Sequence, residues 1–212
     1  MYEESTTKEK IMKKIRKALI NKSSGSGNID FDSSIYSKAE EPLEILFAQQ
    51  LTKLNGKFIY CENEKELCDN LSLLIEENKW DQVFCFEKKA KEILQKAGLK
   101  FSENEKDIRH VNVGVSLCES LAARTGSVFV TSRQSSGRRL PGFANYHIVI
   151  AYSSQLVYTI QEALNGIKKK YGKDLPSMIV NISGPSRTAD IEKTLVQGAH
   201  GPKEIYVFLV EG

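Results

Sequence analysis

Glycine, hydroxyl-bearing and basic residues are concentrated in three segments of the C-terminal half of the sequence. These are residues 124–127 (RTGS), residues 135–141 (SSGRRLP) and residues 183–190 (SGPSRTAD), with residues 198–202 (GAHGP) following the third. Glycine lets backbone N–H groups approach a ligand closely, and hydroxyl and guanidinium groups donate further hydrogen bonds to a carboxylate or a phosphate. The segments therefore predict a small-anion site, outside the G-x-G-x-x-G and P-loop motifs, which are absent. The predicted ligand-binding residues are Thr125, Gly126, Ser127, Gly137, Arg138, Gly184, Ser186, Arg187, Thr188 and Asp190.

Several side chains in the third segment have alternative roles. His200 is the candidate catalytic residue, because imidazole titrates near neutral pH, although a histidine at a loop tip is equally often bonded to the backbone. Arg187 either clamps a carboxylate or forms an ion pair with Asp190 or Glu192. Asp190 is predicted to lie near a helix start, where a carboxylate caps free N–H groups.

Other basic and imidazole side chains are open to similar alternatives. Arg138 and Arg139 either meet an anionic ligand, meet an acidic partner protein, or lie in a solvated loop. His147 begins an apolar segment and is predicted to be a core or sheet-end residue. No order of serine, histidine and aspartate can be argued without geometry.

The cysteine pattern does not predict a metal centre in this chain. Cys61, Cys68, Cys85 and Cys118 are far apart, whereas iron–sulfur clusters and structural zinc usually need closely spaced thiolates. Scattered cysteines inside apolar segments are expected to be small buried hydrophobic residues. We therefore expect this chain to bind no metal or cofactor.

The elements that must position these segments follow an alternating pattern. Helices are predicted at residues 6–20, 42–54, 63–77, 90–97, 117–123 and 157–171. Strands are predicted at residues 57–61, 82–86, 111–116, 126–131, 147–151, 178–183 and 204–210. Short apolar strands separated by helices favour an α/β fold with a Rossmann-like, mainly parallel sheet flanked by helices. Ligands bind at the carboxyl ends of strands in such sheets, and the segment after residues 178–183 is expected there.

The bulk properties bound the organisation of the chain. Its 212 residues fit one α/β domain (residues 29–212) preceded by a basic helix and a flexible linker (residues 1–28). The narrow apolar stripe of that helix is expected to pack on its own protomer or a second copy, with a partner or a membrane surface as the alternative. A formal net charge of +3 does not demand a nucleic acid or a membrane as partner. Without a long apolar run or a signal peptide, the protein is expected in the cytoplasm.

Two longer stretches carry a resemblance to a known family. Residues 183–210 (SGPSRTADIEKTLVQGAHGPKEIYVFLV) and residues 123–150 (ARTGSVFVTSRQSSGRRLPGFANYHIVI) resemble the LUD-domain family of the lactate-utilisation protein C type. The resemblance implies a glutamate before the T-G pair in many relatives. This sequence has Arg124 there, which replaces a potential acid or base with a cation. The positions carried over by the resemblance are Thr125, Gly126, Gly137, Arg138, His147, Gly184, Ser186, Arg187, Thr188, Asp190, His200, Gly201 and Pro202.

The resemblance implies both a fold and a role. The implied fold is like that of the phosphosugar isomerases and CoA transferases. The implied role is in oxidising L-lactate to pyruvate, within a set of three proteins whose iron–sulfur members hold the redox centres. This favours an accessory subunit, a possible component of an oxidising lactate dehydrogenase complex, that binds lactate, pyruvate or a partner surface. The alternatives are a free-standing enzyme or binding protein for a phosphosugar or acyl thioester, for which Glu119 and Glu192 are the acids in reach, and an interaction module that docks through its N-terminal helix.

Overall fold

A computed structural model describes residues 6–20, 39–191, 194–198 and 201–211. The chain divides into one unit up to residue 38 and a second unit from residue 39 onward. In the first unit, helix α1 (Thr7–Ile20) confirms the predicted N-terminal helix. The Thr6 N–H donates to the Glu9 carboxylate (2.8 Å) and the Glu9 N–H donates to Thr6 Oγ1 (3.4 Å), which is a reciprocal cap of the first turn. The predicted linker lies outside the described residues, so the boundary at residue 28 stays a prediction.

The second unit contains the remaining elements of the described chain. Its helices are α2 Leu43–Lys53, α3 Glu64–Glu77, α4 Lys88–Lys96, α5 Leu140–Phe143 and α6 Ile160–Tyr171. The strands are β1 Lys57–Cys61, β2 Val83–Cys85, β3 Val113–Leu117, β4 Ser120–Ala122, β5 Ser127–Thr131, β6 Tyr146–Tyr152, β7 Leu156–Val157, β8 Ile179–Ile182, β9 Arg187–Ile191, β10 Thr194–Gln197 and β11 Glu204–Val210. No helix in the described ranges is long and apolar enough to cross a membrane.

Five strands form a parallel sheet in the order β1–β11–β6–β3–β2. The central strands β6 and β11 are buried along residues 147–151 and 205–210, as expected for strands covered on both faces. On one face, Leu67 and Leu71 of α3 and Leu94 of α4 pack against this sheet. The predicted mainly parallel α/β sheet flanked by helices is therefore confirmed.

The other face of the parallel sheet is covered by α2 and a second sheet. That second sheet has four strands in the order β7–β4–β5–β8, and β5 pairs antiparallel with both neighbours. Phe47 and Leu51 of α2 and Val128 of β5 share one buried cluster with Val149 of β6. Strands β9 and β10 form a separate antiparallel hairpin.

The start of α3 shows how the local sequence sets an element boundary. The Glu66 N–H donates to Asn63 Oδ1 (3.0 Å), and the Glu66 carboxylate accepts from the Glu62 N–H (2.8 Å). Both bonds satisfy donors near the helix start, so Asn63 and Glu66 together cap α3. Helix α4 ends before Gly98, which has a φ of +70°.

The helix predicted at residues 117–123 is wrong. The chain leaves β3 at Leu117, forms strand β4 and then a short 3-10 helix, Ala123–Thr125. All residues of β4 are buried between neighbouring strands, and so short an apolar run has no periodicity that separates a strand from a helix.

Two predictions about the third glycine-rich segment also need correction. The strand predicted at residues 178–183 exists as β8, but it pairs antiparallel with β5 in the second sheet. The segment after it is therefore not at the carboxyl edge of the parallel sheet. Residues 187–191 form strand β9 of the hairpin, so Asp190 lies within a strand and not near a helix start.

Candidate functional site

Parts of the second and third segments line one cavity of about 340 Å³, which we call the glycine-rich cavity. Gly137 and Arg138 contribute one wall, and Gly184 and Ser186 contribute another. The later G-P pair joins them, because the Ser186 N–H donates to the Pro202 carbonyl (2.8 Å). The fold thus brings four of the predicted ligand-binding residues to one place.

A tight turn after β5 positions Arg138. The Gln134 N–H donates to the Thr131 carbonyl (3.1 Å), the Thr131 N–H donates back to Gln134 Oε1 (2.9 Å), and the Gly137 N–H donates to the Gln134 carbonyl (3.0 Å). A Cβ on Gly137 would lie 1.8 Å from the Thr131 carbonyl oxygen, so only glycine fits here. The Arg138 guanidinium donates to Ser177 Oγ. The result is a cation held beside the backbone of the glycine-rich cavity.

A chain of hydroxyl groups connects the first segment to the third. Ser127 Oγ donates to Thr125 Oγ1 (2.7 Å) and lies 2.7 Å from Ser183 Oγ, which is next to Gly184. Thr125 and Ser127 do not line the glycine-rich cavity among the described residues, but they support the strand end from which its third segment leaves. The cavity therefore offers one guanidinium, hydroxyl groups and closely approaching backbone, a combination that suits a carboxylate.

Three predicted ligand residues contact helix α2 or its C-cap residue Leu54, and one of them, Gly184, also lines the glycine-rich cavity. Gly126 has a φ of +58°, and a Cβ there would lie 2.5 Å from the Leu51 backbone nitrogen. Gly184 has a φ of +83°, and a Cβ there would lie 2.8 Å from the Leu54 carbonyl oxygen. Arg187 donates to that same carbonyl (2.9 Å), at the C-terminal end of α2. These positions are explained by packing and helix capping, and the predicted alternatives for Arg187 did not include this contact.

The remaining predicted residues belong to the hairpin and to the segment after it. Thr188 lies on β9 opposite Val196 of β10, and Asp190 lies two residues further along the same strand. Their side chains lie outside the described part of the structure. His200 and Glu192 also lie outside the described residues, so the catalytic role of His200 stays a prediction.

A larger cavity of about 400 Å³, the carboxyl-edge cavity, lies at the carboxyl edge of the parallel sheet and was not predicted from the sequence. It lies where β2, β3 and β6 end, and its floor is the buried carboxyl group of Glu119. Glu119 Oε1 accepts from Thr131 Oγ1 (3.0 Å) and from the Tyr171 hydroxyl (2.5 Å), and Oε2 accepts from Lys170 Nζ (2.7 Å). The hydrogen bond with Glu119 raises the pKa of Lys170, while burial and then Glu119 raise that of Tyr171.

Glu87 is the second buried acid of the carboxyl-edge cavity. Its Oε2 accepts from the Leu117 N–H (2.6 Å), which ties the segment after β2 to the end of β3. Burial raises the pKa of the Glu87 carboxyl, and the Leu117 amide and Ser136 oppose that rise. Glu87 Oε1 and Ser136 Oγ are both buried, and neither atom has a hydrogen-bond partner with suitable geometry among the described residues. The one sequence feature pointing to Glu87 was its place directly after a short buried strand.

His147 is fully buried in the central strand β6, which confirms its prediction as a core residue. Its Nε2 lies 2.8 Å from Ser116 Oγ, and its Nδ1 has no hydrogen-bond partner among the described residues. Burial lowers the pKa of His147 to about 4. The His147 imidazole is therefore a neutral, structural group of the sheet. It lines none of the cavities described above.

The cysteines are mostly core residues, as predicted. Cys61, Cys85 and Cys118 are buried and Cys68 is half-buried. Burial raises the pKa of the Cys85 thiol to about 12, so this group remains protonated at neutral pH. Within the described ranges, no group of three or more His, Cys, Asp or Glu side chains is placed to hold a metal ion. The expectation that the whole chain binds no cofactor stays a prediction.

Comparison with known proteins places this arrangement in a family. A family model described as the LUD domain matches residues 45–210. The chain belongs to the LUD domain family. This confirms the resemblance seen in the two longer stretches of the C-terminal half.

Named relatives of this LUD domain include lactate utilization protein C from two bacteria. The protein from Bacillus subtilis (strain 168) is 35% identical over 113 residues, which are 52% of this chain and 47% of the relative. The protein from Shouchella clausii is 37% identical over 101 residues, which are 47% of this chain and 44% of the relative. The chain thus spans about half the length of the curated relatives it matches.

A solved structure supports the fold of this LUD domain. A DUF162 family protein from Deinococcus radiodurans superposes with a TM-score of 0.60 over 79% of this chain and 96% of that protein. The two sequences are 14% identical, so the comparison concerns the fold alone.

Proposed function

We propose that this LUD domain acts in lactate utilization together with iron–sulfur protein partners, and that it binds a small carboxylate such as L-lactate or pyruvate in the glycine-rich cavity. The observation that carries the proposal is the 35% identity, over 113 residues, to a relative named lactate utilization protein C. The redox centres would reside in the partners, since the described cysteines are scattered and mostly buried.

The geometry of the glycine-rich cavity supports a carboxylate as ligand. Arg138 supplies a positive charge, and guanidinium groups bind carboxylates with charge-assisted hydrogen bonds. Ser186 supplies a hydroxyl group, and Gly201 leaves the backbone close to it, because a Cβ there would lie 3.2 Å from Ser186 Cβ. A three-carbon acid is small enough for a cavity of about 340 Å³.

The alternative of acyl-thioester transfer has less support in the described residues. Such a reaction needs a carboxylate nucleophile that reaches the substrate, and the side chain of Glu119, one of the two acids in sequence reach, is only 3% exposed. Both oxygens of Glu119 already accept hydrogen bonds, from Thr131 and Tyr171 on one side and from Lys170 on the other. We therefore favour carboxylate binding over covalent chemistry at this residue.

Isothermal titration with L-lactate and pyruvate tests the ligand. The substitution Arg138→Gln should weaken binding about 10-fold, because a hydrogen bond to a charged group contributes about 1.5–3 kcal/mol and this guanidinium is exposed. Arg139→Gln is the matched control, since Arg139 does not line the glycine-rich cavity in the described chain. Absence of binding by the wild-type chain, or equal losses in the two variants, would contradict this part of the proposal.

The role in the cell is tested separately in the native host. Deletion of the gene should abolish growth on L-lactate as sole carbon source, and the tagged chain should co-purify with proteins that contain iron and acid-labile sulfide. Normal growth after deletion, together with recovery of no iron–sulfur protein, would show that the proposed role is wrong.

A further inference from the structure

A third cavity of about 270 Å³, the arginine cavity, lies beside the turn after β5. Three arginines line it, Arg133, Arg138 and Arg139, and its described lining contains no acidic residue. Phe86 and Ile108 supply apolar surface in the same cavity. A concave surface with several guanidinium groups and no carboxylate attracts a ligand of high negative charge.

The arginine cavity continues into the carboxyl-edge cavity. The two share Arg133, Gln134 and Ser135 in their linings, and the second adds three lysines, Lys88, Lys89 and Lys170. Lys89 Nζ lies over the Tyr152 ring, 3.9 Å from the ring centroid. The basic surface therefore extends along two adjoining cavities at the edge of the parallel sheet where ligands of open α/β sheets usually bind.

The acids of this region cancel only part of the positive charge. The Glu119 side chain is 3% exposed and forms an ion pair with Lys170, so these two charges offset each other. Glu87 is 7% exposed, and its Oε2 is occupied by the Leu117 N–H. Cations therefore dominate the walls that a ligand would touch.

We propose that the arginine cavity and the carboxyl-edge cavity form one binding site for an elongated, phosphate-bearing small molecule, with its phosphate groups at the arginines. One guanidinium group can bind two phosphate oxygens at once, and a ligand with several negative charges complements several neighbouring cations better than a single carboxylate such as lactate does. The volumes of about 400 and 270 Å³ together suit a ligand of nucleotide size. This site shares Arg138 with the glycine-rich cavity but no other lining residue, and the proposal does not depend on lactate binding in that cavity.

Arg133 is the residue on which the proposal can be decided. It lines both cavities of the site but not the glycine-rich cavity. It forms an ion pair with Asp174, whose side chain is 83% exposed, and it also donates to the Asp174 carbonyl (3.0 Å). An exposed ion pair contributes little to stability, so Asp174 competes only weakly with a bound phosphate.

The test measures binding of pyrophosphate to the full chain by isothermal titration at constant ionic strength. Arg133→Gln should weaken binding about 10-fold, whereas Asp174→Asn should leave it unchanged or tighter, because it removes a competing negative charge. Both substitutions break the same ion pair, so a merely structural role would change binding equally in both variants. Lactate binding should be the same in both variants as in the wild type.

Three results would overturn the proposal. The first is no binding of pyrophosphate by the wild-type chain. The second is an equal loss in Arg133→Gln and Asp174→Asn, with circular dichroism showing that both remain folded. The third is Arg133-dependent binding of poly-L-glutamate without any binding of pyrophosphate, which would identify the surface as a dock for an acidic protein.

Discussion

His147 gives the structure a predicted dependence of stability on pH. It is fully buried in β6, it interacts through Nε2 with Ser116 Oγ, and burial lowers its pKa to about 4 from the usual value of 6.5. Between these two values the unfolded chain holds a proton that the folded chain does not. The free energy of unfolding therefore falls as the pH is lowered through this window, and the stabilisation is present in full only above about pH 6.5.

The magnitude follows from the size of the shift. A difference of one in pKa corresponds to about 1.4 kcal/mol, so lowering the pKa of His147 from 6.5 to about 4 makes this residue responsible for a loss of about 3 kcal/mol between pH 6.5 and pH 4. Glu87 acts in the opposite direction. Because its folded pKa is raised, its contribution is present at low pH and is lost as the pH rises through that raised value. The wild-type curve alone therefore mixes the two groups.

The substitution His147→Gln isolates the histidine. Glutamine is similar in size and can place its amide near Ser116, but it does not titrate. Urea unfolding at a series of pH values from 4.5 to 8 should give a wild-type minus variant difference that is constant above pH 7. Below pH 6.5 the free energy of unfolding of the wild type should fall relative to that of the variant, by up to about 1.4 kcal/mol per pH unit. His110→Gln, which removes an exposed imidazole, is the matched control. A difference that stays constant from pH 8 to pH 4.5 would refute the reasoning.

Two further substitutions test how the predicted site residues are used. Gly137→Ala places a Cβ 1.8 Å from the Thr131 carbonyl oxygen and should lower the free energy of unfolding by about 1–3 kcal/mol, whereas Gly166→Ala, in a helix with open space around it, should raise it by about 0.5–1 kcal/mol. Equal effects in urea unfolding would contradict the turn geometry. Arg187→Gln removes the bond to the Leu54 carbonyl and should cost about 1 kcal/mol of stability without changing the affinity for lactate. Unchanged stability with lost lactate binding would show that Arg187 is a ligand clamp after all.

Much of the fold follows from local patterns. The strands at residues 57–61 and 204–210 have the predicted bounds, because each is a short apolar run followed or preceded by polar residues. Helix α3 is predictable from Asn63 and Glu66 at its start and from buried leucines at helical spacing. In each case the determining contacts lie within a few residues of one another, so the sequence alone contains the information.

The second sheet and the carboxyl-edge cavity depend on distant contacts instead. Strand β5 pairs with β8 in a register that joins Val128 to Ile182, and nothing in either short run specifies that partner. Glu119 meets Lys170 and Tyr171 only because α6 ends beside the end of β3. These residues are separated by about 50 positions, so their encounter is a property of the tertiary fold.

Glycine is an ambiguous indicator of a binding loop, because close packing and close ligand approach require the same missing side chain. The atoms that an added Cβ would touch distinguish the two uses. At Gly126 and Gly184 those atoms belong to helix α2, so the positive φ and the absent side chain are already explained by packing. At Gly201 the nearest atoms belong to Ser186, which itself lines the glycine-rich cavity. Ligand binding in that cavity is therefore inferred from Ser186, Gly201 and the cation of Arg138, and not from the number of glycines in the segment.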